Sequence, residues 1–168
     1  MKKIYFGGHF KKTKDSLDVA QMLRNDYRAI LLQDAEHMAY YRDNLKINDN
    51  YIYAGPFYVE KTEDGQISAT DSVVVLTTEY NQVKNCDIFV AVFDECFSAG
   101  TVTELAWALN MNKQIYILYK YQESVHDIKS DYWFPIADAM RRNKNTQIFA
   151  YSDDTEIINL INQNILRN

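Results

Sequence analysis

Two glycine-bearing loops hold the residues of this chain best suited to chemistry. The first, Gly7-Gly8-His9-Phe10-Lys11, follows the apolar run Ile4-Tyr5-Phe6 and reads as a tight loop at the end of a buried strand. The second, residues 94–100, follows the apolar run 88–93 and leads into a helical pattern. Within it Ser98-Ala99-Gly100-Thr101 can place backbone N–H groups and hydroxyls at a helix N-terminus, which favours a polar or anionic ligand group. Glu104 sits in the first turn of that helix and points back toward the loop, where its carboxylate can meet a ligand. The same spacing allows Glu104 to close a capping box with Thr101, three residues before it. Spacing alone leaves both roles open.

Other chemistries find little support. Gly7-Gly8 lacks the following glycine of a dinucleotide fingerprint, and no Gly-Lys-Thr phosphate loop occurs, so no cofactor is expected. Two cysteines, Cys86 and Cys96, are too few for a disulfide framework or a zinc site; they read as buried or partly buried free thiols, and no metal is expected. His9 and Lys11 read as solvated loop residues.

The elements that must position these loops alternate along the chain. Strands are expected at 3–6, 28–32, 88–93, 115–119 and 147–151. Helices are expected at 13–24, 35–44, 72–85, 101–112 and 155–165, with the β-branched start at 72–77 open to an extended form instead. The helix at 101–112 is expected to bury Val102, Leu105, Ala106 and Leu109. Residues 51–59 read as a strand or hairpin interrupted by Gly55-Pro56, and 60–71 as a polar turn or loop around Asp64-Gly65. Near-continuous apolar strands between helices indicate one α/β domain spanning 1–168. It is doubly wound, Rossmann-like or flavodoxin-like, with a mostly parallel sheet and helices on both faces. Ligands of such sheets bind beyond the carboxyl ends of the strands, where both glycine loops and residues 119–138 fall.

Composition narrows the partners. The 168 residues carry a net charge of −5, against any large phosphate-neutralising surface, so a nucleic-acid polymer is not expected. With 47% hydrophobic and 24% charged residues the chain has material for a core. No apolar run approaches the roughly 18 residues that span a bilayer, and the N-terminus lacks a signal-peptide core; a soluble, cytoplasmic domain is expected. Thirteen tyrosines suit stacked ligands and wet interfaces equally.

The string from Asp87 through the 88–93 strand, the loop ending Gly100-Thr101-Val102-Thr103-Glu104, the helix Glu-Leu-Ala-Trp-Ala-Leu and the strand at 115–119 resembles the nucleoside 2-deoxyribosyltransferase family. The opening Ile4-Tyr5-Phe6-Gly7-Gly8 looks like that family's first strand and glycine turn. The resemblance covers residues 1–12 and 72–120 well and the rest loosely.

By that resemblance Glu104 matches the nucleophile that attacks C1′ of the deoxyribose and forms a covalent glycosyl–enzyme intermediate, after the logic of retaining glycosidases. Glu79 falls where the family carries an aspartate that handles the proton of the base; here it is one methylene longer. Tyr5 matches a tyrosine that orients the nucleophile, and Gly7 and Gly8 would let backbone approach the substrate. Ser98 departs from the pattern. Base-exchanging members carry an aspartate there for the 5′-hydroxyl, whereas a serine resembles a related branch, the deoxynucleoside 5′-monophosphate N-glycosidases, where it contacts the 5′-phosphate. Asp138 falls where a 5′-ligand would be supplied, in a segment that reaches a neighbouring subunit's site, and an aspartate there favours a free hydroxyl.

The implied function is transfer of 2-deoxyribose between nucleobases, with Glu104, Glu79 and Tyr5 catalytic and Gly7, Gly8, Ser98, Gly100 and Asp138 binding substrate. Its partners would be a small nucleoside or nucleotide and a free nucleobase, in a homo-oligomer with shared sites. The aromatic stretches 51–58 and 132–134 are expected as interface material. The alternatives are a 5′-monophosphate N-glycosidase on the same scaffold and a non-catalytic nucleotide sensor. The sensor gains if Glu104 merely caps its helix.

Overall fold

The computed structural model describes residues 1–8, 26–33, 45–56, 59–61, 67–69, 72–94, 98–120 and 142–167. The expected helices at 13–24 and 35–44, together with His9, Lys11, Cys96, Asp138 and the aromatic stretch 132–134, lie outside these residues.

Strand β1 (Lys2–Gly8) takes a central place in a six-stranded sheet ordered β2-β3-β1-β6-β7-β8. Its neighbours are β3 (Tyr51–Gly55) on one side and β6 (Ile88–Phe93) on the other, both parallel to it. β7 (Gln114–Lys120) and β8 (Thr146–Tyr151) continue the parallel sheet, and the two-residue β2 (Leu45–Lys46) adds an antiparallel edge. The chain passes from β1 to β3 on one side and then crosses to β6 on the other. The carboxyl ends of β1 and β6 therefore mark the point where strand order reverses, the place where open α/β sheets leave a crevice.

The alternation of strand side chains divides the core in two. Ile4 and Phe6 enter one cluster with Ala29 of helix α1 (Tyr27–Leu32) and Ile157 and Ile161 of the C-terminal helix α4 (Asp154–Asn164). Tyr5, facing the other way, enters a second cluster with Val83 of α2 (Ser72–Asn85) and Leu105 and Ala108 of α3 (Ala99–Asn110). Helices thus cover both faces of the sheet, as the doubly wound pattern requires. Among the described residues no helix is long and apolar enough to cross a membrane.

Several elements differ from expectation for physical reasons. The apolar run 28–32 is a helix, not a strand. Four apolar residues after an arginine carry no period that separates the two, and the Asp26 side chain decides it by accepting from the Arg28 N–H as N-cap. The polar stretch 60–71 is no simple loop: β4 (Val59–Lys61) and β5 (Ile67–Ala69) pair antiparallel within it. Tyr51 and Tyr53 are core residues of β3, not interface material, and the Tyr53 ring stacks on Phe6. The strand ends at Gly55-Pro56, joined by a cis peptide bond.

Candidate active site

The site is built where β1, α2 and α3 meet. Helix α3 starts two residues earlier than its apolar pattern suggests, because Ser98 is the N-cap and its Oγ accepts from the Thr101 N–H at 3.3 Å. That leaves Glu104 without a capping task. Its buried stripe is Thr101, Glu104, Leu105 and Ala108, the i, i+3, i+4, i+7 positions of a helix laid on a sheet. The expected face is rotated: Ala106 is exposed, and Val102 and Leu109 are half-buried.

A carboxyl on a buried stripe needs a partner, and β1 supplies one. The Tyr5 hydroxyl donates a short hydrogen bond to Glu104 Oε1. Tyr5 is itself fixed by stacking on Phe89, its register partner on β6, with ring centroids 5.5 Å apart and planes 11° from parallel. The other Glu104 oxygen lies over Gly7, where a Cβ would stand 2.7 Å from Oε2 and 3.0 Å from Phe89 Cζ. Any larger residue at position 7 would therefore compete with the carboxyl for the same space.

The environment of Glu104 is one that resists charge. The residue is 3% exposed, and burial pushes its carboxyl up to about 8. The hydrogen bond from Tyr5 opposes that rise, the negative charge of Glu79 adds to it, and the positive charge of Arg28 opposes it. Glu79 is half-buried on α2, and burial raises its carboxyl as well. Glu104 and Glu79 thus share one electrostatic environment, and burial pushes each carboxyl toward its neutral form.

The structure thus brings Tyr5, Gly7 and Glu104 into contact, with Glu79 near enough to act on Glu104 through its charge. Gly8 turns to the opposite face, where a Cβ would meet Val92 O at 3.2 Å and the Tyr27 hydroxyl at 3.5 Å. Gly100 is exposed in the first turn of α3; a Cβ there would meet only Ser98 Oγ, at an ordinary 3.7 Å, so the fold does not demand glycine. Asp87 is structural: its carboxylate accepts from the Lys3 N–H and its own N–H donates to Lys3 O. Cys86 is a buried free thiol, pushed up to about 12 by burial. Among the described residues no cluster of His, Cys, Asp or Glu could hold a metal ion. A cavity of about 120 Å³ opens on the other face of the sheet between Tyr27, Val92, Tyr151 and Ile157; neither Tyr5 nor Glu104 lines it.

Two charged residues escaped the sequence reading. Arg28 is completely buried and forks onto Asp26, with Nε on Oδ1 and Nη2 on Oδ2, both at 2.7 Å. Its Nη1 reaches two backbone carbonyls of β1, Phe6 O at 3.2 Å and Gly8 O at 3.4 Å. The available signal was an arginine at the head of an apolar run with an aspartate two residues before it, since a cation buried among such residues must be paired.

No protein-family model matches this chain, and no curated protein does. Among solved structures, the Clostridium botulinum CMP N-glycosidase BcmB superposes with a TM-score of 0.56 at 15% sequence identity, over 96% of this chain and 98% of that one. The likeness extends over the whole domain and shows a shared α/β fold.

Proposed function

We propose that this chain cleaves the N-glycosidic bond of a nucleoside or nucleotide, with Glu104 as the nucleophile that carries the sugar. One observation bears the weight of this reading: a buried carboxyl at the switch point of the sheet, one oxygen held by the Tyr5 hydroxyl and the other lying over Gly7. A carboxylate that burial makes unfavourable in the free protein gains most when positive charge develops on the sugar carbon. Its stabilising effect then falls on the transition state rather than on the bound substrate.

In the first step Glu104 Oε2 bonds to C1′ while the C1′–N bond breaks, and the departing base takes its electron pair and a proton from Glu79. In the second step an acceptor attacks C1′, the ester to Glu104 breaks, and Glu79 collects the acceptor's proton. The burial of Glu79 raises its proton affinity in the direction an acid needs.

Water is the acceptor and a nucleoside 5′-monophosphate the substrate in the reading we favour. Ser98 stands at the N-terminus of a 12-residue helix with no acidic residue in its first turn, a position that suits a phosphate. BcmB, which shares the fold, is a CMP N-glycosidase. Transfer of deoxyribose to a second base is the other reading, supported by the 87–120 resemblance and by the near-complete burial of Glu104, which limits access of water.

A chromatographic assay separates them. Ribo- and deoxyribonucleoside 5′-monophosphates, and deoxynucleosides with and without a second free base, are incubated with wild-type protein and Glu104→Ala. Free base released from a monophosphate by the wild type alone supports hydrolysis. A new nucleoside formed only with the added base supports transfer. Absence of both with nucleotide still bound leaves a sensor and removes the catalytic role of Glu104.

A further inference from the structure

Among the described residues, no strand covers one edge of β1 at its carboxyl end. Residue 2 directs its peptide group toward β3, since the Lys2 N–H donates to Asn50 O, while Lys3 O faces β6 and accepts from the Asp87 N–H. Peptide groups alternate along a strand, so Phe6 and Gly8 also present their carbonyls toward β3. But β3 stops at Gly55, in register with Tyr5, and Pro56 has no N–H to extend the ladder. The ladder among the described residues thus supplies no donor for these two interior carbonyls, and leaving either unpaired carries a substantial cost.

Arg28 fills that place: its Nη1 donates to both, while its Nε and Nη2 donate to Asp26. We propose that Arg28 is a positioning residue for the reaction at Glu104, standing in for the missing strand so that the Gly7 backbone stays against the carboxylate it accommodates. This rests on the glycosidic-cleavage reading above. The geometry is specific to a guanidinium, whose planar fork can satisfy a carboxylate and backbone carbonyls together; a lysine offers one point charge. Gly7 lies between the two carbonyls in sequence, so a shift of either moves the surface on which Oε2 rests. The positive charge acts in the same sense, since it opposes the rise in the Glu104 proton affinity that burial and Glu79 impose.

The test compares wild type with Arg28→Lys and with the double variant Asp26→Leu/Arg28→Met, which removes the ion pair without stranding either charge. Folding is followed by thermal melts. Glu104 is followed by the pH titration of its 13C-labelled side-chain carbonyl, assigned with Glu104→Gln. The double variant is expected to melt cooperatively and lose roughly tenfold to a hundredfold in kcat, the scale of a misplaced reacting group. Its KM should stay near wild type and its Glu104 titration should move to higher pH. Arg28→Lys should lose part of kcat and keep the Glu104 titration near its wild-type position, because the charge survives and the fork does not. Folded variants with wild-type kcat and an unmoved Glu104 titration overturn the proposal; if the double variant does not fold, unchanged kcat in Arg28→Lys does so alone. A wild type that turns over no nucleoside or nucleotide sinks the reaction instead. The titration then still reports whether Arg28 tunes Glu104, and an unmoved titration rejects that too.

Discussion

Oε2 of Glu104 occupies the volume that the side chain of any residue other than glycine at position 7 would need: a Cβ on Gly7 would stand 2.7 Å from it. The atom in the way is the far end of a flexible side chain, and the Gly7 backbone needs no left-handed conformation. Gly7→Ala should therefore fold, at a cost on the order of 1–3 kcal/mol for overpacking against Glu104 and Phe89. Its kcat should fall by roughly two orders of magnitude, because the carboxyl is the group that gives way. Melting curves beside steady-state rates test this. A folded Gly7→Ala protein with wild-type kcat would show that the Gly7–Glu104 approach is packing alone.

The Tyr5 hydroxyl reaches the same carboxyl from β1, and its hydrogen bond favours the ionised form. Tyr5→Phe keeps the ring on Phe89 and removes one buried hydrogen bond, for about 1–3 kcal/mol of stability. Loss of a group that favours the anion must raise the proton affinity of Glu104. The rising limb of the kcat/KM profile should then move to higher pH, with a lower rate at neutrality. A limb at the wild-type position would mean that the bond seen in the free protein does not govern the nucleophile.

Much of this arrangement is legible in the residues themselves. The strand Ile88–Phe93 and the helix Ser72–Asn85 have the expected bounds; the β-branched residues at 72–77, which also allow an extended start, are helical. The short run after Asp26 was not legible as a helix, and the reason is length: below about two turns, periodicity cannot compete with a single capping side chain. The orientation of Glu104 was open for a different reason. Thr101 and Ser98 can both cap α3, and only the choice of Ser98 turns Glu104 onto the buried stripe. The Arg28 contact depends on where β3 stops, a property of two distant segments that no local pattern encodes.

The raised proton affinity of Glu104 links activity and stability to pH in opposite senses. A nucleophile must be ionised, so the limb of the kcat/KM profile that Glu104 sets should rise with pH through about 8, and the proton that Glu79 must hold sets the falling limb. Folding behaves otherwise. The folded carboxyl binds its proton up to about pH 8 and the unfolded one only to its ordinary value of 4.5, so across that window the native state holds the extra proton. Stability contributed by the neutral form is full below about 4.5 and is lost as pH rises through about 8. At about 1.4 kcal/mol per pH unit the difference amounts to several kcal/mol at most. Glu104→Gln, which cannot ionise, should be more stable than wild type at pH 8–9, with the gap closing near pH 4–5. Denaturant titrations across that range check the sign; a gap that widens toward acid would mean the buried carboxyl is held as an anion.

Position 98 separates the two substrate readings because it couples a cap to a charge. Ser98→Asp retains a good N-cap, so the α3 terminus should lose little stability, whereas Ser98→Ala should lose about 1 kcal/mol. A carboxylate set near a phosphate dianion repels it, by about 1 kcal/mol in water and several times more near a protein surface. If a 5′-monophosphate is the substrate, Ser98→Asp should raise KM for it by about tenfold or more, at about 1.4 kcal/mol per tenfold. A free nucleoside would be held as well or better, through the hydroxyl that an aspartate can accept from. Parallel KM measurements on a nucleotide and its nucleoside give the ratio directly. An unchanged ratio would place the 5′-group away from the α3 N-terminus, and with it the case for a phosphate at Ser98 would be lost.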